Sequence, residues 1–198
     1  MGFRSTETQR ARTSLSSRSS RCSQAEGAIE GRLETRAMNL HDLIVPPHDK
    51  ALANLERWID KTLAFAKDKK FDANDLLLDR LAPDQFPLGR QVMAVCDQAK
   101  FVCSKLAGKQ APVHPDTEKT WDELRTRVRS VREYVQGFSP ADFEGAESRL
   151  VTFSWMPGKA LAGKEYLLEF ALPNFSFHLV HVYAILRHNG VELGKVDF

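Results

Sequence analysis

With 198 residues, 42% of them hydrophobic and 27% charged, the chain has the composition of a globular protein and the length of one ordinary domain. The formal net charge of +2 comes from residues 1–37, which hold seven arginines and four glutamates, so the remaining part carries no electrostatic signature of a nucleic-acid-binding protein. A membrane span is also excluded, because the most apolar stretch, 167–186, contains a glutamate, a proline, an asparagine and two histidines.

Residues 1–37 are predicted to lie outside the folded part of the protein. They contain seven serines and seven arginines but almost no large apolar residues, so they cannot offset the conformational entropy that ordering would cost. We interpret them as an expression tag, an over-extended start or a transit peptide, which is typically rich in Arg and Ser. The domain is therefore predicted to cover 38–198, and the lack of an apolar secretory signal predicts a cytoplasmic protein.

Two helices are predicted in the first half of this domain from apolar residues at helical spacing. The first helix covers 47–69, and Pro46 and Pro47 are typical of a helix entrance. The second helix covers 87–107, where apolar residues alternate in steps of four and three, as they do in the seam of a helical bundle. Gly108 is expected to end this second helix.

A third helix is predicted over 117–136. Asp116 or Thr117 can cap its start, and Gly137 is expected to end it. Arginines on this helix are interleaved with acidic residues, a pattern that favours a solvated helix face over a nucleic-acid-binding surface. These arginines are Arg125, Arg127, Arg129 and Arg132.

After the third helix, the hydrophobic pattern changes from helical spacing to alternation. Val151, Phe153 and Trp155 alternate with Thr and Ser, which predicts a half-buried strand. Residues 156–159, Met-Pro-Gly-Lys, predict a type II turn. The predicted fold class is therefore all-α, a four-helix bundle with a short β-hairpin between helices three and four.

The fourth helix, predicted over 164–188 with a kink or restart at Pro173, carries the candidate site. Asn174 and His178 are four residues apart, and His178 and His181 are three apart, so these side chains can converge. One hypothesis is a ligand pocket in which a histidine binds a metal or moves a proton. The alternative is a structural role, in which one histidine is a hydrogen-bonded core residue and another interacts with the helix dipole.

Polar residues of helix two add candidates to this pocket. Gln91 and Gln98 lie nearest the apolar seam, where neutral hydrogen-bonding groups could face the bundle interior, whereas Asp97 lies opposite the seam and is expected to face solvent. Cys96 and Cys103 lie on the seam, too far apart for a disulfide, and are expected to be buried thiols. The sequence contains no phosphate-binding loop, serine-hydrolase elbow or paired-cysteine zinc motif.

Several sequence runs resemble an uncharacterised domain-of-unknown-function branch of the DinB/YfiT-like superfamily. The resemblance covers essentially 38–198. The runs that carry it are Phe86-Pro87-Leu88-x-Arg90-Gln91-Val92, Cys96-Asp97-x-Ala99-Lys100, Pro173-Asn174-Phe175-x-Phe177-His178 and Tyr183-Ala184-Ile185-Leu186-Arg187-His188-Asn189-Gly190-Val191.

This resemblance implies an up-down-down-up four-helix bundle that is often dimeric. It also implies a divalent metal held by one histidine on helix two and a His-x-x-x-His pair on helix four, and in some relatives the transfer of thiols to small molecules. Here helix two has no histidine, and Val182 stands four residues after His178, so only His178 matches the superfamily motif.

Three hypotheses about function follow. The first is a protein that binds a small molecule in a cavity lined by helix four, with a degenerate metal site, no cofactor and no stoichiometric zinc or nickel. The second is a metal-dependent thiol S-transferase-like enzyme, in which His178 and His181 would help to hold zinc or nickel. The third is a structural or stress-associated homodimer. The missing helix-two histidine favours the first hypothesis over the second, and the polar residues of helix four favour both over the third.

Overall fold

The computed structural model describes residues 39–198, so the predicted tail at 1–37 lies outside the described residues. The described part has four main helices and a two-stranded antiparallel hairpin, which confirms the predicted fold class. The elements in chain order are α1 (Leu40–Lys69), α2 (Leu88–Ala107), α3 (Trp121–Gln136), β1 (Leu150–Thr152), β2 (Ala160–Ala162) and α4 (Leu172–His188). None of the helices within 39–198 combines the length and apolarity that a bilayer crossing requires.

The start of α1 differs from the prediction by seven residues. Asn39 caps the helix, with its side chain accepting a hydrogen bond from the third residue of the helix at 2.9 Å. Pro46 and Pro47 therefore lie inside the helix, where each removes a backbone donor. Both prolines are exposed, whereas Ile44 and Val45 before them are buried in the core, so apolar burial holds this first part of the helix in place.

The helix α2 begins one residue after the predicted start and ends where predicted, with Gly108 in the left-handed conformation. The start of α3 was predicted wrongly, since the helix begins at Trp121. Its N-cap is Thr120, whose hydroxyl accepts from the Glu123 amide at 3.3 Å while the Glu123 carboxylate accepts from the Thr120 amide at 3.0 Å. The signature Thr-x-x-Glu of this capping box could have been found in the sequence.

The predicted restart near Pro173 is present as a change of helix type. A helical turn at Gly163–Glu165 leads into a π-helical stretch, Tyr166–Ala171, before α4 begins. The amide of Leu172 donates to the carbonyl of Leu167, five residues back. Because Pro173 has no N–H, the regular hydrogen-bond ladder is interrupted at this point, and the wider π turn fits that interruption.

The hairpin is shorter than predicted. Strands β1 and β2 pair through Leu150↔Ala162 to Thr152↔Ala160. The predicted type II turn is confirmed, because the Lys159 amide donates to the Met156 carbonyl at 3.2 Å and Gly158 has a φ of +78°. Since the strand ends at Thr152, Trp155 lies outside it and is 63% exposed, contrary to the predicted alternation.

Helix α2 is the central element of the core. It packs against α3 on one side and against α4 on the other, and α1 packs against α3. Aromatic contacts join α1 to α4, with the His48 ring against Phe175 at 4.3 Å and the Trp58 ring against Tyr183 at 5.8 Å. The contact between α2 and α4 positions the candidate site.

Replacement of Gly163 by alanine is expected to destabilise the protein by about 2 kcal/mol, since overpacking against backbone cannot relax through a side chain. A Cβ atom at this position would lie 1.9 Å from the Ala146 carbonyl oxygen and 2.9 Å from Leu106 Cδ2. Urea unfolding measures the effect. Gly89→Ala is the matched control, because its Cβ would meet only ordinary contacts at 3.5 Å. Equal stability of the two variants would contradict this account of the Gly163 contact.

Candidate functional site

A hydrogen bond between α4 and α2 organises the candidate site. His178 Nδ1 lies 2.8 Å from Oε1 of Gln91, which is 2% exposed. The Gln91 amide nitrogen donates to the Phe86 carbonyl at 3.4 Å, which leaves the amide oxygen facing the imidazole. An amide oxygen only accepts, so Nδ1 of His178 carries the proton and Nε2 carries a lone pair.

The Nε2 atom of His178 remains accessible. The residue is half-buried, and this nitrogen has no hydrogen-bond partner within residues 39–198 yet is not among the buried unpartnered atoms, so it contacts solvent. The pKa of His178 is lowered from 6.5, first by burial and then by the charges of His181 and Arg90. The ring is therefore neutral at pH 7, with an open acceptor nitrogen.

His181 repeats this arrangement one turn along α4. Its Nδ1 donates to the Phe177 carbonyl at 2.7 Å, and its ring packs on the Phe177 ring at 4.0 Å. Like that of His178, its Nε2 has no hydrogen-bond partner in the described chain. Phe86 and Phe177 flank the two histidines and are 49% and 51% exposed. We call Gln91, His178, His181, Phe86 and Phe177 the His178 site.

Asn174 and Gln98 stand apart from this arrangement. The Asn174 amide donates to the Phe170 carbonyl on its own helix at 2.7 Å, so it does not pair with His178, and Gln91 holds the imidazole instead. Gln98 lies seven residues, about 10 Å along α2, from Gln91. Its half-buried side chain makes no hydrogen bond within 39–198. A binding role for all five predicted residues stays a prediction.

A buried ionic cluster lies between α2 and α3. The Arg127 side chain is 1% exposed and contacts carboxylates of Asp97 at 2.7 Å, Asp116 at 3.0 Å and Glu118 at 3.0 Å. Lys100 contacts Asp97 at 2.8 Å. We call these five residues the Arg127 cluster. The predicted solvent exposure of Arg127 was wrong, and the Asp97 side chain is only 20% exposed, because the segment between α2 and α3 brings two further carboxylates over them.

The other arginines of α3 follow a different pattern. They pair with acidic residues of α1 along the contact between these two helices, so the predicted solvated face is an interhelical ladder. The pairs are Arg125 with Asp60 at 2.7 Å, Arg129 with Glu56 at 3.0 Å and Arg132 with Asp49 at 2.7 Å.

A serine–histidine pair beside the Arg127 cluster has the wrong polarity for a nucleophile. The Lys100 ammonium, which can only donate, lies 3.2 Å from His114 Nδ1. His114 Nε2 must then carry the proton and donate to Ser130 Oγ at 3.2 Å, so this histidine cannot take a proton from the serine.

Cys96 and Cys103 are buried as predicted, and burial raises the pKa of each to about 12, so they stay protonated thiols.

Other features of the described residues do not compete with the His178 site. A cleft of about 540 Å³ is lined by α1 and the segment after α4, including Lys61, Phe65, Asp68 and Lys69, and shares no residue with the site. Because this cleft is lined by charged residues of both signs, its lining does not indicate a class of ligand. Within 39–198, no three His, Cys, Asp or Glu side chains are grouped so that they could hold a metal ion.

Comparisons with known proteins agree with this architecture. The family model described as "Domain of unknown function (DUF1993)" matches residues 40–198. The crystal structure of a DinB family member protein from Shewanella denitrificans is 48% identical in sequence and superposes with a TM-score of 0.78, covering 80% of this chain and 90% of that chain. No curated protein matches the chain.

Proposed function

The chain belongs to the DUF1993 family of DinB-like proteins, and from this premise we propose that it binds a small molecule at the His178 site, with a degenerate metal site. The observation that carries the proposal is the hydrogen bond from His178 Nδ1 to Gln91 Oε1. This bond fixes one tautomer and leaves Nε2 as an oriented acceptor at the protein surface, beside two half-exposed aromatic rings.

Gln91 also supports the degenerate metal site. The superfamily resemblance implies a histidine on helix two that would share a metal with helix four. Gln91 is the α2 side chain that contacts His178, and its oxygen already accepts from that imidazole. Only His178 and His181 then remain as imidazole ligands, while structural or catalytic zinc needs three or four protein ligands.

The replacement His178→Asn tests the binding proposal. The shorter amide keeps an N–H near the position of Nδ1, so Gln91 keeps a donor, but the Nε2 acceptor is lost. A thermal-shift screen supplies ligands, and calorimetry is expected to show affinity weakened about tenfold or more, with stability within about 1 kcal/mol of wild type. His188→Asn, at an exposed position of the same helix, is the control and should bind normally. Unchanged affinity in His178→Asn would refute the proposal.

The alternative function is a metal-dependent thiol S-transferase-like enzyme. It is favoured by the two Nε2 lone pairs on α4, because a metal-binding imidazole typically donates its other N–H to an oxygen, as both histidines do. Elemental analysis of purified protein is expected to find zinc and nickel well below one per chain. One metal per chain that disappears in His178→Asn would overturn the degenerate metal site and support this alternative.

We also propose a cytoplasmic homodimer. The superfamily resemblance implies the dimer, and an exposed apolar side chain of α4 supports it. Val180 is 47% exposed and lies outside the His178 site, so it is available to a partner protomer without use of the Phe177 ring.

A further inference from the structure

Hydrogen-bond polarity limits what the His178 site can bind. His178 and His181 each use their Nδ1 proton on a protein oxygen, at 2.8 Å and 2.7 Å. In its neutral form, each ring therefore offers a lone pair on Nε2 to a ligand. An acceptor nitrogen is satisfied by an O–H or N–H group, whereas the oxygens of a carboxylate or phosphate would be repelled.

The charges around the site exclude ions of both signs. Arg90, which lies over the Phe86 ring at 5.6 Å, already pairs with Asp116, and the neighbouring Lys100 and Arg127 of the Arg127 cluster also have carboxylate partners. An anionic ligand would therefore have to compete with these carboxylates. A cationic ligand is disfavoured as well, because the carboxylates of Asp97 and Asp116 are already paired with these cations. The suitable ligand is therefore neutral.

The aromatic side chains indicate the shape of this ligand. The Phe86 ring lies within 11° of parallel to the His178 ring, with centroids 6.4 Å apart. The Phe177 ring meets the same imidazole edge-on, at 86° and 5.3 Å. Both phenylalanines are about half exposed, so each leaves part of a ring available to a further planar group. Aromatic contacts of this kind contribute about 0.5–1.5 kcal/mol each beyond their buried area.

We propose that the His178 site binds neutral aromatic hydroxyl compounds, with the ligand hydroxyl donating to His178 Nε2 and the ligand ring lying against Phe86 and Phe177. This inference rests on the proposed small-molecule function and names its ligand class. It involves no chemical step, only recognition of one donor and one ring.

The test compares three probes by calorimetry at neutral pH. 4-Cyanophenol carries the donor, 4-cyanoanisole replaces its hydrogen by a methyl group, and 4-cyanobenzoate replaces the hydroxyl by an anion. The phenol is expected to bind about tenfold more tightly than either analogue, because a site built to accept a hydroxyl rejects molecules that lack it. In His178→Asn the preference for the phenol over the anisole should disappear, whereas His188→Asn should retain it.

A second variant keeps the test independent of the hydrogen bond to Gln91. Phe86→Leu is expected to weaken the phenol and the anisole by a similar factor, about threefold to tenfold, and to leave the preference between them unchanged. Equal binding of phenol and anisole by the wild-type protein, preference for the benzoate, or a phenol preference that survives His178→Asn would each overturn the ligand class. If the screen finds another ligand whose binding requires His178, the proposed small-molecule function holds but the aromatic hydroxyl class does not. If no ligand requires His178, both proposals are wrong.

Discussion

Lowering the pH from about 6.5 to about 4 is expected to destabilise the protein by about 3 kcal/mol through His48 alone. His48 lies on α1 and is 1% exposed. Its Nδ1 donates to the Ile44 carbonyl at 2.6 Å, and its ring packs on Phe175 of α4. Its buried Nε2 has no partner in the described chain, so a proton there would create a buried charge without an acceptor.

The direction of this effect follows from the two pKa values. Burial lowers the pKa of His48 from 6.5 to about 4 in the folded protein. As the pH falls below about 6.5, the unfolded chain takes up a proton that the folded chain cannot hold, so stability falls until the folded pKa is reached. Lys109 and the Ser139 amide lower the pKa of Asp142 from 3.8 to about 2. The stability that this carboxylate contributes is therefore lost at a lower pH than the stability that depends on His48.

Urea unfolding at a series of pH values measures this loss in wild type and in His48→Leu. The variant is expected to lose about 3 kcal/mol less than wild type over this range. The comparison isolates His48, because His114 and His178, whose pKa values are also lowered, titrate in both proteins. His188→Leu, at an exposed histidine, should follow the wild-type curve. Parallel curves for wild type and His48→Leu would contradict the assignment.

Replacement of Arg127 by methionine is expected to cost about 2–3 kcal/mol, less than the loss of one partner from a fully buried ion pair, because the carboxylates that Arg127 contacts are 12% to 40% exposed. The carboxylates of Asp97, Asp116 and Glu118 would lose their shared partner. Lys100 would still pair with Asp97 and Arg90 with Asp116, so Glu118 is the carboxylate left without a cation. The methionine would still fill the space of the aliphatic part of the side chain, so lost packing contributes little to the effect.

Arg129→Met is the matched control on the same helix. Arg129 pairs with Glu56, but its side chain is 58% exposed, so its removal should cost less than about 1 kcal/mol. In a double-mutant cycle, Glu118→Gln should add little to Arg127→Met, because Arg127 is the cation that Glu118 contacts within residues 39–198. Equal costs for Arg127→Met and Arg129→Met in urea unfolding would show that the Arg127 cluster is not an energetic unit.

Local patterns predicted those parts of the fold that depend on local interactions. The apolar seam of α2 and the glycine after it located that helix to within one residue at its start and at its end. The turn at 156–159 was predicted because the third position of a type II turn requires a left-handed backbone conformation, which glycine adopts readily. The start of α1 was predicted wrongly because a proline is compatible both with a helix entrance and with an exposed position inside a helix that is held by apolar burial.

The candidate site shows where prediction from sequence reached its limit. His178, His181 and Gln91 could be selected individually because polar residues near an apolar seam need partners. Which of them pair depends on the register between α2 and α4, and that register is set by packing along the whole interface. Helical spacing favoured Asn174 as the partner of His178, although the Asn174 side chain bonds to its own backbone instead. The burial of Arg127 likewise depends on a loop whose course has no periodic signal.

The protonation state of His178 is the most direct test of the proposed site. Nitrogen NMR of the labelled protein at neutral pH distinguishes the two tautomers of a neutral imidazole from the charged ring. We expect His178 to be neutral, with the proton on Nδ1 and a lone pair on Nε2, and we expect Gln91→Leu to give a mixture of tautomers because the fixing oxygen is lost. A proton on Nε2 of the wild-type ring, or a charged ring at neutral pH, would contradict the proposed site.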